Sequence, residues 1–226
     1  MFIGDGMSLA HRVAARMLAK GIAEGKARGK LAIDDMPHMA LVATAGSDSI
    51  ITDSANSASA YATGHKSAVN AMGVYADRTL NPLDDPKVET ISSLVKRRHG
   101  MAVGIVTNTE IEDATPAAMV AHVRRRSEYD RIVEQFFSAK PDVMGGGRAN
   151  FLPKSVEGGK RRDDSDFVAQ FRDAGYGVAS TGPEMTSLAD DAKTTKLVGL
   201  FTLGNMDSSR SQDSQRRHRP QIPGAA

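Results

Sequence analysis

The sequence predicts an α/β fold in which a mostly parallel central sheet is flanked by helices. Three observations predict it. Short apolar, β-rich runs, such as those at 101–107 and 197–202, alternate with stretches of helical periodicity such as 88–99. Strand, helix and strand follow one another repeatedly, the order a parallel sheet needs. Asp, Ser, Thr and Gly gather just after the apolar runs, where the C-terminal ends of α/β strands present ligand sites.

Taken in order, residues 1–3 read as the end of a buried strand that runs into Gly4-Asp5-Gly6. Those glycines let the backbone turn tightly or approach a ligand, with Asp5 at the strand's C-terminal edge. Residues 8–30 read as a helix with Leu9, Val13, Met17 and Leu18 near one face, frayed by Gly21, Gly25 and Gly29. A strand is expected at 39–45 and a turn at 46–49. A helix of almost nothing but Ala and Ser then opens at Asp53-Ser54 and ends near Gly64. Its small residues at 55, 58, 59 and 62 suit close packing in the centre, under the sheet. Ser54 lies in its first turn, where unpaired N–H groups and the helix dipole favour an anion. A serine there can cap the helix or act as a nucleophile, and capping is the commoner use.

Residues 79–87 read as surface loop and 88–99 as a helix with Ile91, Leu94 and Val95 on its apolar face. The strand at 101–107 runs into Thr109, Glu110, Glu112, Asp113 and Thr115. An Asp and a Thr hydroxyl two apart on such a loop can reach one hard cation, or can cap the helix that Pro116 begins. Arg124-Arg125-Arg126 is expected to close that helix, and three Arg at a helix end usually form a solvated, dipole-complementing cluster. Further helices are expected at 129–139 and 164–174. Strands are expected at 142–144, 176–180 and 197–202, with a loop at Gly145-Gly146-Gly147.

Composition excludes several function classes. There is no Cys, which removes disulfides, thiolate metal sites and thiol catalysis. The net charge is +2. The stretch from Asp207 onward holds four Arg and two Asp, so it carries that charge and the remainder is neutral. With no aromatics between the Arg residues, this is not a nucleic-acid-binding pattern. No apolar run is long enough to span a membrane and no signal peptide is visible. Residues 207–226 lack periodicity and read as a disordered or aberrant tail after a domain at 1–206.

The wording of five segments resembles the alkaline phosphatase family. Asp53-Ser54-Ala55-Asn56-Ser57-Ala58 with Thr63-Gly64 is similar to its nucleophile segment. Phe2-Ile3-Gly4-Asp5-Gly6-Met7 resembles its first metal-binding strand end, and Thr107–Ala118 its magnesium-side segment. Ala121–Arg126 is similar to the stretch ending in the phosphate-clamping arginine, and Asp142–Arg148 to a family loop. The resemblance implies an alkaline-phosphatase-like fold and hydrolysis of phosphate monoesters through a phosphoserine on Ser54. Asp53 would orient Arg126, whose planar fork holds two phosphate oxygens. It also implies Zn²⁺ and Mg²⁺, with Asp5, Ser54, Asp113 and Thr115 on the metal side. Thr115 would be a magnesium ligand, supported by Asp113. A homodimer and a periplasmic or secreted location are implied as well.

The family's other ligands, several His and Asp and a Glu, fall beyond the resemblance. The tail supplies only His218, Asp207 and Asp213, in none of the family's contexts. The expectation is therefore an incomplete alkaline phosphatase fold, with the nucleophile half of the site and little turnover alone. The alternatives are a non-catalytic relative that binds phosphate or Mg²⁺ through Arg126, Asp5 and Thr115, and an interaction module using the basic tail.

Overall fold

A computed structural model of the chain describes residues 1–75 and 85–207. All but Asp207 of the tail expected at 207–226, and most of the loop expected at 79–87, lie outside the described residues. The chain divides into two compact units, Met1–Thr44 and Ala45–Ala226.

In the first unit, helix α1 runs over Leu9–Lys20 and stops at Gly21, whose φ is 79°. The helix expected to reach residue 30 ends here because two short strands follow, β1 (Ile22–Ala23) and β2 (Lys26–Ala27), which pair antiparallel. Glu24 and Gly25 between them both have positive φ, 53° and 71°, as a two-residue hairpin turn requires. A 3₁₀ turn over Ala32–Asp35 places Asp34 against α1, where it accepts from Arg12 Nε (2.7 Å) and Arg16 Nη2 (2.7 Å). The bonds from Arg16 and from the Leu31 N–H hold the Asp34 carboxyl well below the usual range. The strands expected at 1–3 and 39–45 do not form. Met39 is 86% and Leu41 94% exposed, and among the described residues no strand pairs with this stretch.

The second unit holds a four-stranded parallel sheet. Its strands are β3 (Gly104–Glu110), β4 (Asp142–Gly146), β5 (Gly177–Ala179) and β6 (Leu197–Leu200), in spatial order β3-β4-β6-β5. The α/β class with a parallel sheet is therefore as the sequence predicts. Helices α2 (Ser54–Thr63) and α3 (Ile91–His99) both precede the sheet in the chain. Between the strands lie α4 (Ala114–Ala117), α5 (Tyr129–Ala139), α6 (Phe167–Asp173) and α7 (Gly182–Asp190). Helix α7 is an addition to the elements expected from sequence; Thr181 caps it and Pro183 sits in its first turn.

The core joins Val143, Val198 and Leu200 of the sheet to Ile132 and Phe136 of α5 and Phe171 of α6. Phe137 and Tyr176 meet Phe171 edge-on at 5.1 and 5.0 Å. Helix α2 buries Ala55, Ala58, Ser59 and Ala62, and the small side chains let it pack closely on α4. Of the three glycines expected in a loop, Gly145 and Gly146 extend β4 instead, and Gly147 leaves the strand with φ +91°. At Gly145 a Cβ would stand 2.7 Å from Thr107 Cγ2, so only glycine lets β3 and β4 come this close.

The region after Pro116 differs most from expectation. Helix α4 is a single turn, and Arg124–Arg126 lie outside any helix. The cause is a backbone bridge: Met72 N–H donates to Val123 O and Val123 N–H to Met72 O, each at 2.9 Å. That pairing pulls the chain straight and draws it toward α2.

Candidate active site

The N-termini of α2 and α4 carry four of the residues picked out from sequence, Asp53, Ser54, Asp113 and Thr115. Asp53 caps α2. Its Oδ1 accepts from Asn56 N–H, and Asn56 Oδ1 accepts from Asp53 N–H, both at 3.0 Å. Ser54 is the first residue of the helix and is half-buried. Asp113 caps α4, accepting from Ala114 N–H at 2.8 Å. Thr115 is the second residue of that turn and half-buried.

Arg126 joins the two caps. Its Nη2 donates to Asp113 Oδ1 at 2.6 Å, and its Nη1 stands 3.5 Å from Asp53 Oδ2. Burial works against its charge, but Asp113 and Asp53 outweigh that and raise its pKa above the ordinary arginine value. One guanidinium therefore spans two helix N-termini, with Ser54 at the start of one of them. Donors and dipoles so arranged can hold the oxygens of an anion. Asp5 lies in the Gly4–Met7 turn and belongs to the first unit, whereas Ser54, Asp113 and Arg126 belong to the second.

A frame of backbone bonds sets the distance from helix to clamp. Arg126 N–H donates to Asn70 O at 2.8 Å, and Gly73 N–H donates to Ser59 Oγ of α2 at 2.9 Å. His122 Nδ1 and Gly73 O are 2.7 Å apart. Gly73 has φ +62°, and a Cβ there would stand 2.5 Å from Ala121 O. Removing the Ser59 hydroxyl strands a buried N–H. Ser59→Ala is expected to cost about 1–3 kcal/mol in a urea unfolding titration. An unchanged midpoint would mean that this bond does not hold the frame.

Three nearby groups carry no assigned role in the sequence reading. Glu112 is fully buried beside Asp113. Its Oε1 accepts from Asn150 Nδ2, while Oε2 has no hydrogen-bond partner and lies against Gly147. Burial pushes its pKa up to about 8. Tyr129 is half-buried, and burial together with Asp113 and Glu110 raises the pKa of its hydroxyl. Glu112 stands between Ile111 and Asp113, so its neighbours in sequence do not mark it as buried. Nothing local marks Tyr129 or Asn150.

Comparison with known families matches residues 1–221 to the model described as "Alkaline phosphatase". The chain belongs to the alkaline phosphatase family. It is 34% identical over 232 residues to the alkaline phosphatase of Escherichia coli (strain K12), a match covering 91% of this chain and 46% of that protein. It is 32% identical to the streptomycin-6-phosphate phosphatase of Streptomyces griseus, covering 89% of this chain and 46% of that protein. Among solved structures, the cold-active alkaline phosphatase of Shewanella sp. superposes with a TM-score of 0.71 at 27% identity, over 91% of this chain and 46% of that one. The chain thus spans about half the length of the alkaline phosphatases it matches. Members of the alkaline phosphatase family use metal ions. One similar structure, a mutant of the TAB5 alkaline phosphatase, has Mg bound in its M3 site.

Proposed function

We propose that this chain handles phosphate monoesters by the alkaline phosphatase reaction, with Ser54 as nucleophile. The observation that carries the reading is Arg126 held between Asp53 and Asp113 over the first turn of the Ser54 helix. Arg126 holds two phosphate oxygens, and Asp53 and Asp113 keep its fork in place. Ser54 Oγ forms a bond to phosphorus as the ester P–O bond breaks. The serine gives up its proton and the alcohol leaves with one. Water then attacks the phosphoserine, releasing inorganic phosphate and restoring the hydroxyl. A homodimer and a periplasmic or secreted setting belong to the same reading. No helix among the described residues is long and apolar enough to cross a membrane.

The metal side fits less well. Among the described residues no three His, Asp or Glu side chains stand together as a metal cage. Asp113 Oδ1 is engaged by Arg126 and by the first N–H of α4. Within the second unit, Ser54, Asp113 and Thr115 bring a single carboxylate between them, short of a Zn²⁺ or Mg²⁺ cage, and no step is routed through either ion. That observation favours a second reading, a relative that binds phosphate without turnover.

One titration tests both readings. Inorganic phosphate is expected to bind the chain, and Arg126→Ala to weaken it about 100-fold, the loss of roughly two charge-assisted bonds. Hydrolysis of p-nitrophenyl phosphate with Zn²⁺ and Mg²⁺ added, absent in Ser54→Ala, supports the hydrolase. Arg126-dependent binding without hydrolysis supports the second reading. Binding that ignores Arg126 overturns both.

A further inference from the structure

Beside the clamp lies a cavity of about 530 Å³, lined by Tyr129, Asn150, Lys160 and Arg162 among others. Two of its walls are one step from the clamp. Tyr129 follows Arg126 by three residues, and its hydroxyl feels the charges of Asp113, Glu110 and Arg126. Asn150 donates to Glu112, the neighbour of Asp113.

The cavity's ions are unevenly paired. Arg131 is matched by Glu128 at 2.7 Å, and Asp130 leans toward the buried Arg161 at 4.0 Å. Among the described residues, Lys160 and Arg162 make no side-chain hydrogen bond or ion pair, yet their backbone is fixed. Lys160 N–H donates to Ala149 O at 2.8 Å and Arg161 N–H to Leu152 O at 3.1 Å. Arg161 between them is anchored with no exposure. Two unmatched cations therefore stand at one wall of a cavity whose lining also includes Ser127, the residue after Arg126, and Asn150, the partner of Glu112.

We infer that this cavity is a leaving-group subsite, and that Lys160 and Arg162 select phosphate monoesters whose leaving group carries a second anionic group. The subsite rests on the reading of Arg126 as phosphate clamp and names the substrate class for it. Neutral alcohols fit the cavity but give the two cations nothing to meet. A carboxylate a few bonds from the ester oxygen meets both.

Calorimetric binding of glycerate 3-phosphate and glycerol 3-phosphate to the whole chain tests this without needing turnover. Glycerate phosphate is expected to bind about tenfold more tightly, the scale of two exposed ion pairs. Changing Lys160 and Arg162 together to Ala is expected to erase that preference and leave glycerol phosphate binding unchanged. Arg98→Ala with Lys193→Ala removes the same charge elsewhere and is expected to keep the preference. Equal binding of the two ligands, a preference surviving in the Lys160 and Arg162 variant, or its loss in the control overturns the subsite. If Arg126→Ala leaves both ligands bound as before, the clamp reading fails first.

Discussion

Stability of the metal-free chain is expected to fall as pH rises from about 4.5 to about 8, and Glu112→Gln is expected to abolish most of that fall. The buried Glu112 carboxyl holds its proton to about pH 8, whereas the same group in the unfolded chain loses it near 4.5. Between those values the unfolded state binds fewer protons than the folded one, so each rise in pH favours unfolding. Above pH 8 both states are ionised and the loss levels off. Its full size is about 5 kcal/mol, since the difference between about 4.5 and about 8 is worth about 1.4 kcal/mol per unit. Glutamine is neutral at every pH, and its Oε1 can still accept from Asn150. The variant is expected to lie within about 1 kcal/mol of the parent at pH 5 and to exceed it by about 5 kcal/mol at pH 9, in urea unfolding with a chelator present. Parallel pH profiles for the two proteins would show that Glu112 does not carry the effect.

Arg161→Ala is expected to cost about 3–5 kcal/mol. The guanidinium has no exposure. It donates to Asp163 at 2.8 and 2.7 Å and to the carbonyl oxygens of Asp130 and Asn150, and it stacks over Phe167 at 4.4 Å. Alanine leaves a void against Phe167 and two carbonyls without that donor. Arg161→Met restores the volume and not the bonds, so it is expected to recover about half the loss. If the methionine variant is as stable as the parent, packing alone explains the residue. If alanine costs less than about 1 kcal/mol, the network contributes little to the fold.

The sheet and the clamp are legible in the sequence for different reasons. Buried parallel strands must be apolar runs, so β3 and β6 show in any hydropathy reading, displaced by two or three residues at most. The clamp is legible only as wording, because Asp53, Asp113 and Arg126 are far apart in sequence and meet through the Met72–Val123 bridge. No local rule reports such a bridge. It also replaces the long helix expected from Pro116, since propensity cannot weigh two cross-chain backbone bonds against a continued turn. Residues 39–45 fail in the opposite sense, being apolar enough for a strand and lacking one to pair with. Arg161 is illegible because Arg161-Arg162-Asp163-Asp164 looks like a solvated loop, and only the fold decides which of its charges goes inside.

The two caps that hold Arg126 also fix a local charge. One guanidinium between two carboxylates sums to −1, and neither Asp53 nor Asp113 can swing away without uncapping its helix. A phosphate dianion entering there brings that sum to −3. Coulomb repulsion on this scale favours taking up positive charge along with the ligand. Phosphate affinity and the binding of a proton or divalent cation are then linked, each strengthening the other by the same factor. The cap geometry thus makes anion uptake a function of what cations the solution offers.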